Sequence, residues 1–309
     1  MTTSSFAVLG GSGLVLSRFI ELYPKTIVSV PSISELDITD YGQVLKWSKQ
    51  LPDGACVVLG AAYTDVDSAE KEKGNKDGLV YKVNVLGPKN VGLACKESDL
   101  FLIHISTDFV FTGTDDNKGP YREDHKLVLD EQNIGWYGQT KLMGEQEVLD
   151  SGIEAAILRI SYPFRSNYEL KTDFARNMLS LYDQRKLHPM FSDQYLTPTS
   201  IDEAVGIIKR IGEQKLQGIF HCASSNTATP YDFATLLVKK ARGVTDVVKP
   251  SSILDFRKQF PERAPRPQYG GLDSRKTQEK LGIRFMRWEE SMDELVKQMV
   301  TSKGPVGAS

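Results

Sequence analysis

The chain has 309 residues, a quarter of them charged, and a formal net charge of −2. That length suffices for one large domain or two closely packed ones with a full core. The near-neutral balance offers no footprint for nucleic acid or an anionic membrane, and no stretch approaches the roughly 20 apolar residues of a membrane helix.

The opening Met1-Thr2-Thr3-Ser4-Ser5 has neither a charged start nor a long apolar run, so no signal peptide is expected. Cys56, Cys95 and Cys222 lack metal-like spacing and read as free thiols of a reducing cytoplasm. The four histidines are equally dispersed, and His104 and His221 fall in strand-like runs where structural roles are expected.

Phe6-Ala7-Val8-Leu9 predicts a buried strand, 14–22 a helix, 26–30 a second strand and 41–49 a helix. Cys56-Val57-Val58-Leu59 predicts a third core strand, 81–96 a long helix and 100–106 a strand. A helix over 137–149 and a strand over 154–160 follow. Such alternation implies right-handed βαβ units and a doubly wound parallel sheet of Rossmann type, helices covering both faces. After Ser161 prolines multiply, and only 190–192 and 218–222 still read as sheet, with a helix over 200–211 between them. The expected division is a dinucleotide-binding domain over 1–161, with 190–223 returning to its sheet. A smaller α/β lobe over 162–189 and 224–309 then binds substrate. The tail 304–309 reads as frayed.

Gly10-Gly11-Ser12-Gly13 joins the first strand to the first helix. Glycine permits a tight turn and close backbone approach, and a helix N-terminus offers unpaired N–H groups to a pyrophosphate. Gly10, Ser12, Gly13 and Leu14 are assigned to that contact. The third glycine of the pattern is replaced by Leu16. The second strand ends Val30-Pro31-Ser32, with no acid to repel a 2′-phosphate and a serine able to donate to one. NADPH is therefore favoured, with NADH left open.

Tyr137 and Lys141 are four residues apart on a predicted helix and so share a face. An ammonium there is expected to favour the phenolate and lower the tyrosine pKa, suiting it to acid–base work on a carbonyl/alcohol pair.

Taken in order, several segments resemble the extended short-chain dehydrogenase/reductases, most closely the dTDP-4-dehydrorhamnose reductase branch. They are 36–40, 61–70, Asn84, Ser106-Thr107-Asp108-Phe109-Val110-Phe111, 120–124, Tyr137-Gly138-Gln139-Thr140-Lys141, 193–195 with Pro198-Thr199, and Arg266-Pro267. The likeness spans nearly the whole chain. It implies reduction of the 4-keto group of a nucleotide-linked 4-dehydro-6-deoxy sugar. Thr107 would bind the carbonyl oxygen, Tyr137 donate the proton, and Lys141 hold the nicotinamide ribose. It adds Asp37, Ile38, Ala61, Ala62, Tyr63 and Asn84 to the cofactor contacts. Thr64, Val66, Asp108, Tyr162, Phe174 and Arg266 become substrate contacts.

Departures from the pattern are Leu16, Tyr162 in place of a frequent tryptophan, and Asp173 where an asparagine is usual near the sugar nucleotide. A carboxylate at 173 is expected to repel a diphosphate unless Arg176, Lys171 or Arg266 offsets it. Arg18 stands where some relatives place a magnesium-bridging glutamate, so no metal is expected. A homodimer is compatible with the resemblance. The competing readings are a non-catalytic NADP-binding subunit resembling methionine adenosyltransferase β, and a sugar-nucleotide epimerase or dehydratase. The intact Tyr/Lys pair speaks against the first. The single acid after Thr107 speaks against a dehydratase.

Overall fold

The computed structural model describes residues 5–127 and 129–301; the expected tail 304–309 and the opening 1–4 lie outside that range. A six-stranded parallel sheet runs in the order β2-β1-β3-β4-β5-β7. Its strands are β1 (Phe6–Leu9), β2 (Ile27–Ser29), β3 (Cys56–Leu59), β4 (Phe101–Thr107), β5 (Ala155–Ile160) and β7 (Gly218–Cys222). β1, β3 and β5 are buried along their whole length. This is why they appear in sequence as unbroken apolar runs rather than alternating ones.

Two cores cover the two faces. One packs α1 (Leu14–Leu22) and α8 (Ile201–Gln214) against Phe6, Val8, Ile103 and Leu158. The other packs α2 (Tyr41–Ser48), α5 (Gly87–Glu97) and α6 (Trp136–Asp150) against Leu9, Val57, Leu59 and Ile157. The chain winds outward from β1 to β2, then crosses back to β3, so a topological switch point lies between β1 and β3. Ligands of such sheets bind beyond the strand ends at that point.

Short helices α3 (Val66–Glu70) and α4 (Leu79–Tyr81) precede α5, with a π-helical turn over Lys82–Leu86 between α4 and α5. The helix expected over 81–96 is therefore interrupted, and the widened turn carries Asn84.

The lobe gathers α7 (Phe174–Asp183), α9 (Pro230–Arg242) and α12 (Trp288–Thr301) around Phe233, Met178 and Met292. α10 (Ile253–Gln259) and α11 (Arg275–Leu281) complete the helices. Sequence reading returned 190–192 to the main sheet, and the structure corrects this. β6 (Met190–Phe191) pairs with β8 (Pro250–Ser251) in a separate two-stranded sheet, and β7 alone rejoins the large one. Two residues of strand carry no alternation that could name their partner. Among the described residues, no helix is long and apolar enough to cross a membrane.

Candidate active site

At the switch point the strand ends open into a cleft of about 430 Å³ between sheet and lobe. Gly10, Gly13 and Leu14 wall one end, and Thr107, Tyr137 and Lys141 lie deeper. Gly10 sits at φ +90°, and a Cβ there would lie 2.6 Å from the Ala61 nitrogen. Only glycine satisfies both constraints. Gly13 opens α1 without a side-chain cap, so its first-turn N–H groups are not taken by a cap. A turn that only glycine can make, ending in an uncapped helix start, fits a dinucleotide pyrophosphate. Leu16 does not open the packing. It is buried against Gly60, where a Cβ would lie 2.6 Å from Leu16 Cδ1. The close helix–sheet approach is kept, with the glycine on the strand side.

Ala62 lines the cleft; Ala61 donates its N–H to the Leu9 carbonyl at 3.0 Å, which holds the segment after β3 against β1. Asn84 clamps the Tyr63 peptide from both sides, its Oδ1 accepting from the Tyr63 N–H at 2.9 Å and its Nδ2 donating to the Tyr63 carbonyl at 3.1 Å. Its Nδ2 also lies 3.2 Å from Thr140 Oγ1 on α6. The π-turn asparagine thus joins the segment after β3 to the helix of the acid–base pair.

Ser32, Asp37 and Ile38 stand outside the cleft wall. The Ser32 hydroxyl and N–H both donate to Glu35 Oε2 at 2.8 Å, so the side chain expected to meet a 2′-phosphate already serves a carboxylate. Asp37 accepts from the Thr39 N–H at 2.8 Å. Ile38 packs on Gly87, where a Cβ would lie 2.6 Å from its Cδ1.

α6 brings Tyr137 and Lys141 to the end of β4. Gly138 permits its approach, since a Cβ there would lie 2.1 Å from the Phe109 carbonyl oxygen. Tyr137 packs edge-on against Phe109 with ring centres 5.8 Å apart. The expected electrostatics of the pair are corrected. Burial pushes the Tyr137 phenol up to about 12, while its hydrogen bond with Thr107 pulls the other way. Lys141 does not lower it. The Lys141 ammonium donates to the Ile105 carbonyl at 2.8 Å and lies 3.3 Å from His104 Nε2. Burial pushes Lys141 down to about 8, opposed by Glu145. Trp136 does not line the cleft: it is buried and stacks on Tyr81, 6.5 Å between ring centres.

On the substrate side, Thr64, Val66, Asp108, Tyr162, Phe174 and Arg266 all reach the cleft wall. Asp108 is buried and accepts from the Ser161 hydroxyl at 2.6 Å; burial raises its carboxyl to about 6. Tyr162 holds φ +42°, a left-handed conformation that costs a bulky residue energy, and its hydroxyl accepts from Gln194 Nε2 at 3.2 Å. Its ring meets Phe174 at 5.0 Å and Phe109 at 6.0 Å, making an aromatic wall. Arg266 is committed to Asp67 at 2.9 Å. Lys171, which sequence reading did not assign to the site, lines the cleft and donates to Thr64 Oγ1 at 2.7 Å.

Asp173 lines the cleft, but its charge is offset by Arg176. It caps α7, accepting from the Arg176 N–H at 2.9 Å, pairs with Arg176 Nε at 2.7 Å, and accepts from the Arg165 N–H at 3.2 Å. The motif Asp-x-x-Arg at a helix start was the available signal. Asp173→Ala is therefore expected to lower stability by about 2 kcal/mol, the upper end for a lost cap, measured by the denaturant midpoint. An unchanged midpoint would contradict this role. Arg18 pairs with Asp202 at 2.7 Å and Glu21 at 3.2 Å.

The strand order, glycine turn and Thr/Tyr/Lys constellation define a nucleotide-cofactor oxidoreductase architecture. Residues 5–301 match the family model described as RmlD substrate binding domain, and the chain belongs to that family. It is 32% identical over 301 residues to the dTDP-4-dehydrorhamnose reductase of Mycolicibacterium smegmatis, covering 96% of this chain and 86% of that protein. It is 31% identical over 245 residues to the spore coat polysaccharide biosynthesis protein SpsK of Bacillus subtilis, covering 78% of each. Among solved structures, dTDP-4-dehydrorhamnose reductase from Bacillus anthracis in complex with NADP superposes with a TM-score of 0.84 at 26% identity, covering 96% of this chain and 100% of that one.

Proposed function

We propose that this protein reduces the 4-keto group of dTDP-4-dehydrorhamnose with NADPH. The observation that carries this reading is the meeting of Thr107, Tyr137 and Lys141 in the same cleft that the glycine turn lines. The family and the dTDP-4-dehydrorhamnose reductases among its relatives supply the substrate class. The NADP complex of a similar reductase supplies the cofactor class.

Gly10, Ser12, Gly13 and Leu14 hold the cofactor phosphates, and Ala61, Ala62 and Tyr63, set by Asn84, line its path toward Lys141. When bound, the cofactor supplies the hydride. Thr107 and Tyr137 position the substrate carbonyl oxygen, and Tyr137 gives that oxygen its proton. A phenol held near 12 is fully protonated at neutral pH and so stands ready as the acid. Lys141 lies beside the same floor as a cation, favouring the negative charge that develops there. The domain over 1–161, with 190–223, holds the cofactor and carries Thr107, Tyr137 and Lys141, and 162–189 with 224–309 make the lobe that binds the sugar nucleotide. Three buried free thiols agree with a reducing, cytoplasmic setting.

The test is oxidation of NADPH and NADH by a panel of nucleotide-linked 4-keto sugars. NADPH consumption with dTDP-4-dehydrorhamnose is expected, and no consumption with any member would overturn the reading. Within it, Lys171 faces the diphosphate, because Arg266 and Arg176 are already paired with carboxylates. Lys171→Ala is expected to raise KM for the nucleotide sugar roughly tenfold, the size of one charged hydrogen bond, with kcat nearly unchanged. A kcat loss with constant KM would place Lys171 elsewhere.

A further inference from the structure

We propose that His104 is a positioning residue for Lys141, its buried imidazole accepting a hydrogen bond from the ammonium and fixing where that cation sits. The inference rests on the oxidoreductase reading above.

His104 is fully buried on β4, and its sheet neighbours in register are Leu59 on β3 and Ile157 on β5. An apolar side chain would suit that row. Among the described residues the imidazole makes one side-chain hydrogen bond, Nε2 to Lys141 Nζ at 3.3 Å. An ammonium only donates, so Nε2 accepts and the ring proton resides on Nδ1. Among the described residues the buried Nδ1 has no hydrogen-bond partner. A buried N–H with no acceptor is destabilising, so the residue is not explained by packing.

Its effect on Lys141 explains it. An ammonium has three donors on a stem that rotates freely. The Ile105 carbonyl and His104 Nε2 take two of them, which sets the direction of the third. The surrounding charges leave the proton on the lysine. Glu145, one turn further along α6, is held at 2.6 Å by Arg159 of β5. Tyr137 is a neutral phenol, and Asp108 bonds Ser161. Burial, with Lys141 beside it, drives the His104 pKa well below its ordinary value, so the imidazole stays a neutral acceptor.

The test compares His104→Leu with His104→Gln, whose amide oxygen falls near the place of Nε2. Loss of the acceptor destabilises the ammonium. In His104→Leu the alkaline limb of kcat/KM is then expected to move down by about one pH unit, roughly a fivefold loss at the parent's midpoint and tenfold well above it. Affinity for NADP⁺, titrated calorimetrically without substrate, is expected to fall by a similar factor. His104→Gln should return the limb and the affinity toward the parent's.

Parent-like behaviour of His104→Leu, or equal shifts in both variants, would overturn the proposal and leave the ring as filler. Should His104→Leu not fold, His104→Asn replaces it, its amide being too short to reach Lys141; an unmoved limb there overturns the proposal equally. The calorimetric arm decides even if the sugar assignment fails. A parent that binds neither NADP⁺ nor NAD⁺ defeats the oxidoreductase reading and the proposal with it.

Discussion

Tyr137→Phe is expected to lower kcat by about 10²–10⁴-fold while leaving NADPH affinity close to the parent's. The substitution removes one oxygen. The ring still packs edge-on against Phe109, and the hydrophobic cluster it joins with Trp136 and Val80 is untouched. The phenol is buried and held protonated, so its loss removes the proton donor rather than a charge. The change should appear in kcat and kcat/KM equally, as for a contact made in the transition state alone. Near-parent turnover in the Phe variant would remove the acid assignment.

Lys141→Met is expected to produce the second large effect, in two directions. The variant should lose cofactor affinity by roughly 10–100-fold, the range of one charged hydrogen bond. It should lose rate as well, and with it the alkaline limb near the lysine's depressed value of about 8. Stability should move the opposite way. The folded-state pKa lies below the ordinary 10.5, so the unfolded chain holds more protons between about 8 and 10.5, and stability rises with pH across that window. At neutral pH the full cost is present, on the order of 3 kcal/mol. A methionine of similar length avoids it. Denaturation midpoints at pH 7 check the gain, and calorimetry with NADP⁺ checks the loss. A variant that binds normally and gains nothing in stability would remove Lys141 from the cofactor contacts.

Much of the fold is legible in the chain because parallel strands covered on both faces must be continuously apolar. Phe6–Leu9, Cys56–Leu59 and Ala155–Ile160 meet that demand within a residue of where they were expected. The acid–base helix was legible for a similar reason: spacing of four places Tyr137 and Lys141 on one face. Spacing does not say where a long flexible side chain ends. Lys141 turns to the β4 backbone and His104 instead of the phenol, so nothing from it offsets the burial that raises the tyrosine. Trp136 precedes Tyr137 in sequence yet points about 100° away around the helix, more than a quarter of a turn, toward Tyr81. Contacts across long separations left no local trace. Arg266 meets Asp67 from 199 residues away, and Lys171 meets Thr64 from 107. The cap at Asp173 was local and readable, but its similarity to a ligand-binding position drew the interpretation toward charge repulsion.

The exchange between Leu16 and Gly60 makes those two positions a single unit of variation. One small volume at the foot of α1 is filled by the leucine, and the strand end opposite must therefore remain bare. A methyl group added at 60 collides while Leu16 is present, and the collision disappears if 16 shrinks. The effect of a change at either position is thus conditional on the other, and the two energies do not add. A lineage that carries leucine at 16 has given up the freedom to vary 60. Restoring a glycine at 16 alone would leave a void beneath the helix that carries the phosphate turn.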